Sequence, residues 1–150
     1  MSTVTAEARH RFASLTPDQV FAAWTDPALL RQWMVVHLRE TEPEAQVTRI
    51  QVDAVVGGRY CFADSRDGSE AWGYYKELER PHRIAFSWFV DPAEEQEDNS
   101  LVTLRIEPEG AGSIVYASHE MSDEWTDYLE QTGRAWASML EAIDQALSPR

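Results

Sequence analysis

Four histidines and one cysteine are the side chains best suited to chemistry near neutral pH, and their spacing sorts them. His119 closes an alternating run, Ile114 to His119, on the side shared by Val115 and Ala117, which predicts an inward-facing ring. An inward imidazole can orient a ligand or act as a base, because it titrates near neutrality. The plainer expectation is a buried neutral ring bonded to a backbone carbonyl or a tyrosine hydroxyl. Cys61 with His119 would make a nucleophile and its base, but Cys61 alternates against Tyr60 and Phe62 and so faces away from them. His10, His37, His82 and His119 are scattered, and no Cys or His spacing matches a zinc site, so no metal is expected. No cofactor is expected either. A phosphate loop is absent, and Val56-Gly57-Gly58 precedes a strand rather than a helix, so it reads as a plain turn. Asp53 lies opposite Ile50 and Val52, which places it in solvent or beside an arginine.

Composition narrows the classes of function. The 150 residues carry a net charge of −13, with no cluster of Lys and Arg to displace counterions from DNA or RNA. Anionic membranes would repel the chain for the same reason. An acidic surface could meet a basic protein, but solubility is its simpler role. Residues 1–150 are expected to form one domain, large enough to bury a core. No apolar run approaches the roughly 20 residues of a membrane helix. Met1 to Arg11 is polar, without the apolar stretch of a signal peptide, and the lone Cys61 fits a reducing compartment; the expectation is a cytoplasmic protein.

The elements that must position these residues are well punctuated. Val4 to Leu15 reads as a strand. Thr16 then caps a helix, with Pro17 at its first position and Gln19 completing a capping box, while Leu15 and Val20 stand at the two places of a hydrophobic staple. Asp26-Pro27 ends that helix and opens a second. From Val47 the period becomes alternating: Ile50, Val52 and Ala54; Tyr60 and Phe62; a strand over Trp72 to Leu78; Ile84, Phe86 and Trp88; Val102, Leu104 and Ile106; then Ile114 to His119. Turns are signalled at Gly57-Gly58, Asp67-Gly68, Pro81 and Glu109 to Gly112. Asp91 to Ser100 carries five acids and no base, so it reads as a solvated loop.

Ser122 or Asp123 is expected to cap a helix reaching about Leu147, with Trp125, Tyr128, Leu129, Trp136, Met139, Leu140, Ile143 and Leu147 at helical spacing. At 1.5 Å per residue such a helix would be roughly 37 Å long. A meander of short strands and one long amphipathic helix have chiefly each other to bury against, so the sheet should wrap the helix.

Several segments together resemble proteins related to the activator of heat-shock protein 90 ATPase. The opening Thr16-Pro17-Asp18-Gln19-Val20-Phe21-Ala22-Ala23-Trp24-Thr25-Asp26-Pro27, with Leu29-Leu30-Arg31-Gln32-Trp33, is the most specific part. Val56-Gly57-Gly58-Arg59-Tyr60 resembles that family's glycine turn. Gly73 to Leu78 with Arg83 to Trp88 resembles its central hairpin, and His119-Glu120 with Trp136, Leu140 and Ile143 its last strand and helix. Met34, and Met121-Ser122 after the His-Glu pair, depart from its usual residues.

The resemblance implies an α+β helix-grip (START-like) fold: a curved antiparallel sheet of about six to seven strands, two short helices after the first, and the long C-terminal helix packed across it. It also implies a hydrophobic ligand held between sheet and helix. Candidate lining residues are Trp33, Val52, Tyr60, Phe62, Tyr75, Trp88, Ala117, His119, Tyr128, Thr132 and Trp136. Sixteen aromatics in 150 residues could equally fill an ordinary core. In the Trp72–Leu78 strand the periodicity leaves open whether Trp72 and Tyr74 or Tyr75 points inward, and the resemblance favours Tyr75. The expected function is binding of an apolar or aromatic small molecule by a monomer or homodimer. A cyclase or hydrolase using the same pocket is the alternative, and a chaperone-associated cofactor with a protein partner the third.

Overall fold

In the computed structural model, which describes residues 2–66 and 70–149, the sequence elements fall into place around one antiparallel sheet. Its strands are β1 (Thr3–Phe12), β2 (Val47–Val52), β3 (Arg59–Asp64), β4 (Glu70–Glu79), β5 (Arg83–Ser87), β6 (Leu101–Glu109) and β7 (Gly112–Ser122). They lie in the order β1-β7-β6-β5-β4-β3-β2, a meander from β2 to β7 with β1 returning to the far edge. Helices α1 (Pro17–Thr25) and α2 (Pro27–Arg39) follow β1, and α4 (Leu129–Leu147) packs against β1 and α2. This is the curved antiparallel sheet with two short helices and a C-terminal helix that the sequence predicts. The Asp67-Gly68 turn lies outside the described residues.

The start of α1 forms the predicted capping box. The Gln19 amide N–H donates to Thr16 Oγ1 at 3.3 Å, and the Thr16 N–H donates to Gln19 Oε1 at 2.8 Å. Asp26 accepts from the Ala28 N–H at 2.9 Å and so starts α2 where α1 stops. Buried Leu15 and Val20 then close the staple over a continuous apolar core.

Two expectations need correction. Asp91 to Ser100 is not simply a loop: Pro92–Glu97 forms a short helix, α3. Asp91 caps it by accepting from the Glu94 N–H at 2.9 Å, with Pro92 next, the same cap-and-proline punctuation that opens α1 and α2. Glu95 fastens α3 to the sheet, accepting from Trp72 Nε1 at 2.6 Å and from the Tyr74 hydroxyl at 2.9 Å. The C-terminal helix is also shorter than expected. Asp123–Tyr128 winds as a 3₁₀ helix, and only the 19 residues of α4 are α-helical, about 28 Å. In a 3₁₀ turn side chains three apart eclipse, and Trp125 and Tyr128 accordingly meet edge to face, ring centres 5.5 Å apart.

One close approach positions the strand that leads into the site. At Gly73 a Cβ would stand 1.9 Å from the Ser87 carbonyl oxygen, so only glycine lets β4 and β5 come this near. That carbonyl accepts from the Tyr60 hydroxyl at 2.6 Å, and Ser87 Oγ accepts from the Tyr74 N–H at 2.9 Å. Three strands thus pin Ser87, and Trp88 follows it into the site.

Candidate functional site

The inner face of the sheet divides into a packed part and an open part. Tyr60 and Tyr75 belong to the packed part, and Trp33 of α2 is packed into the same core, each at most 2% exposed. Trp33 Nε1 donates to the Ala23 carbonyl at 2.8 Å, and the Tyr75 hydroxyl donates to that of Trp24 at 3.2 Å, so both polar tips are spent inside the core. Tyr75, rather than Trp72 or Tyr74, is the residue of its strand that faces in. Ala117 is likewise core, and Val52 packs against its edge.

The open part is a cleft of about 490 Å³ between the β3–β4 end of the sheet and the first turns of α4. Small-molecule sites commonly occupy 300–1,000 Å³ and are mainly apolar with a few placed polar groups. Phe62, Trp88 and Trp136 form the aromatic floor, with Trp88 and Trp136 edge to face at 5.2 Å and Phe62 6.3 Å from Trp88. Met34, Leu38 and Met139 add aliphatic surface from α2 and α4. Thr132 and Ala135 stand at the α4 side, and Trp125 at one end. Of the predicted residues, Phe62, Trp88, His119, Thr132 and Trp136 therefore meet around this cleft. Tyr128 does not join them: the 3₁₀ turn swings it outward, 49% exposed.

The mouth is acidic. Asp64, Glu70 and Glu94 line it against one guanidinium, Arg66, which pairs with Asp64 at 2.9 Å. That bond lowers the Asp64 pKa, although burial opposes it. Burial raises the pKa of Glu94, which accepts from the Val90 N–H at 2.8 Å. His37 borders the cleft too and is held by Ser138 Oγ at 3.1 Å, with burial the main cause of its lowered pKa.

At the inner wall lies a buried polar chain. Trp136 Nε1 donates to His119 Nδ1 at 3.1 Å, and His119 Nε2 stands 2.8 Å from Ser100 Oγ. Indole N–H is only a donor, so Nδ1 must be an acceptor. The neutral ring then carries its proton on Nε2 and donates it to Ser100 Oγ. Burial pushes the His119 pKa down to about 4, which keeps the ring neutral. The expected buried neutral histidine is what the structure contains, but its partners are an indole and a serine rather than a carbonyl or tyrosine. Ser100 had no signal in the sequence, since it closes the acidic stretch 19 residues before His119.

The arrangement resembles a Ser–His pair but has the opposite hydrogen-bond sense. Activating a serine requires the imidazole nitrogen beside Oγ to be an acceptor for its proton. Here that nitrogen is the protonated one. Cys61 is no substitute: it is fully buried outside the cleft, its thiol 2.8 Å from Glu70 Oε1. Burial and that carboxylate push its pKa up to about 11, far from the thiolate a nucleophile needs. Asp53 is exposed, as its parity predicts. Among the described residues no group of three His, Cys, Asp or Glu is placed to hold a metal ion, and no helix is long and apolar enough to cross a membrane.

Comparison with known proteins adds to this geometry. A family model described as Activator of Hsp90 ATPase homolog 1-like protein matches residues 14–148. Among solved structures, the AHSA1-like protein from Aeromonas hydrophila is 23% identical, with a TM-score of 0.70 over 97% of this chain and 92% of that one. The Aha1 dimer from Colwellia psychrerythraea is 18% identical, with a TM-score of 0.76 over 97% and 96%. A protein from Chromobacterium violaceum is 22% identical, with a TM-score of 0.73 over 97% and 98%. No curated protein matches the sequence significantly.

Proposed function

This chain belongs to the Activator of Hsp90 ATPase homolog 1-like family, with its START-like fold, and on that premise we propose that it binds an apolar, neutral or cationic small molecule in the cleft beside α4. One observation carries the reading: Phe62, Trp88 and Trp136 line a cleft of about 490 Å³, with Trp88 only partly buried at its floor. Aromatic and aliphatic walls supply the affinity through burial of apolar area, about 25 cal/mol per Å² removed from water. The three carboxylates at the mouth, against one guanidinium, disfavour an anionic ligand such as a fatty acid.

The alternative, a cyclase or hydrolase using the same pocket, needs a base, and His119 is the group nearest to that role. Its Nδ1 is occupied by Trp136 and its Nε2 already carries a proton, so the geometry favours binding over proton abstraction.

N-phenylnaphthylamine, an uncharged probe that brightens in apolar surroundings, tests the reading. The expected result is saturable fluorescence with one site per chain, lost in Thr132→Phe, which fills the cleft from α4. No saturable binding, or binding that Thr132→Phe leaves unchanged, would overturn it.

A further inference from the structure

The buried polar chain at the cleft wall ends in a proton with nowhere to go inside the protein. Trp136 donates to His119, and His119 in turn donates to Ser100 Oγ. Ser100 Oγ is thereby used as an acceptor, and its own O–H is left to donate. Among the described residues no acceptor stands within hydrogen-bond distance of it other than His119, whose facing nitrogen holds a proton. Ser100 is 7% exposed, so bulk water does not freely satisfy that proton, and leaving a buried donor unpaired is costly. The Ser100 backbone is fixed as well, its carbonyl accepting from the Trp88 N–H at 3.3 Å. Ser100, His119, Trp88 and Trp136 all line the cleft.

From this arrangement we infer that Ser100 is a specificity-determining residue whose hydroxyl donates to a carbonyl or comparable neutral oxygen acceptor on the ligand. The inference rests on the binding reading above and sharpens it from apolar ligands in general to those with an uncharged oxygen acceptor at the inner end. The indole and imidazole act in series behind the hydroxyl, and each donor polarises the next. A ligand without an acceptor would enter the same cleft and leave the Ser100 proton unpaired. Discrimination by a missing hydrogen bond partner is stronger than discrimination by a methylene, since the site's own polar group bears the cost.

Acetylnaphthalene and ethylnaphthalene have nearly the same shape and differ in one carbonyl, so they are the probes of choice. Calorimetric titration of the wild-type protein should show the ketone bound about five- to tenfold more tightly. Ser100→Ala should abolish that preference by weakening the ketone alone. Difference infrared spectroscopy provides a readout in the wild type that does not depend on the variant folding. The carbonyl stretch of bound acetylnaphthalene should fall below its value in hexane. Equal affinities for the two probes, a preference surviving in Ser100→Ala, or a hexane-like stretch would each overturn the inference while leaving the binding reading intact. Failure of both probes to bind, together with failure of N-phenylnaphthylamine, would remove the binding reading and the inference with it.

Discussion

Trp136 Nε1 lies 3.1 Å from His119 Nδ1, and the direction of that one bond decides what the histidine can do. An indole nitrogen cannot accept, so the imidazole must. Its proton is driven to Nε2, where it meets Ser100 Oγ at 2.8 Å. A residue pair that superficially suits nucleophilic catalysis is thereby turned into a fixed donor chain directed at a cleft wall. The Trp136 ring has a second role, because its face is part of the apolar floor beside Trp88. Cleft surface and polar network share one side chain.

Stability should depend on pH through His119. The native ring takes a proton only near pH 4, whereas an unfolded histidine takes one near 6.5. Between those values the unfolded chain binds more protons, so stability is full above about pH 6.5, declines as pH falls toward 4, and levels off below. The shift corresponds to about 3 kcal/mol. Urea unfolding at several pH values should show a steeper decline in the wild type than in His119→Gln, where buried His37 still contributes a decline of the same sign. Nitrogen-15 NMR at pH 7 should report a pyridine-type Nδ1 and a pyrrole-type Nε2; the reverse assignment would contradict the donor chain.

Thr132→Phe and Ala117→Phe add the same ring to opposite kinds of site. Thr132 is half-buried at the cleft, so the new ring has space and stability should change by no more than about 0.5 kcal/mol. Ala117 is 4% exposed within the core, and overpacking there should cost about 1–3 kcal/mol. Chemical denaturation of the two variants separates the cases. Equal large losses would mean that the cleft is not available space.

Cys61 should be inert in the native protein. It is fully buried, and its pKa is raised to about 11, so thiolate is scarce at pH 8. Reaction with an aromatic disulfide reagent should proceed only as fast as the protein opens, and should become immediate in denaturant.

The periodicity of the strands read the faces correctly but could not read depth. Val115, Ala117 and His119 do share the inner face, as alternation requires. Yet Tyr60 and Tyr75, on the same inner face as Phe62 and Trp88, are sealed within the aromatic cluster, while the latter two border open space. The difference is set by how the helices pack over the sheet, a global property that no residue spacing encodes. The caps of α1 and α2 were legible because capping is local chemistry. The cap of α3 was equally local, at Asp91-Pro92, but the density of acids concealed it. Ser100 was not legible at all: strand register brings Val102 opposite His119, and only that long-range pairing sets Ser100 beside the ring.

The claim that the cleft beside α4 is the binding site is tested most directly by mapping where a bound probe sits. On titrating nitrogen-15-labelled protein with N-phenylnaphthylamine, the indole signals of Trp88 and Trp136 and the amides of Thr132 and Ala135 should move together to saturation. Those of Arg9, Arg105 and Tyr116, on the outer face of the sheet, should stay in place. Saturable shifts confined to the outer face, or none anywhere, would contradict the account.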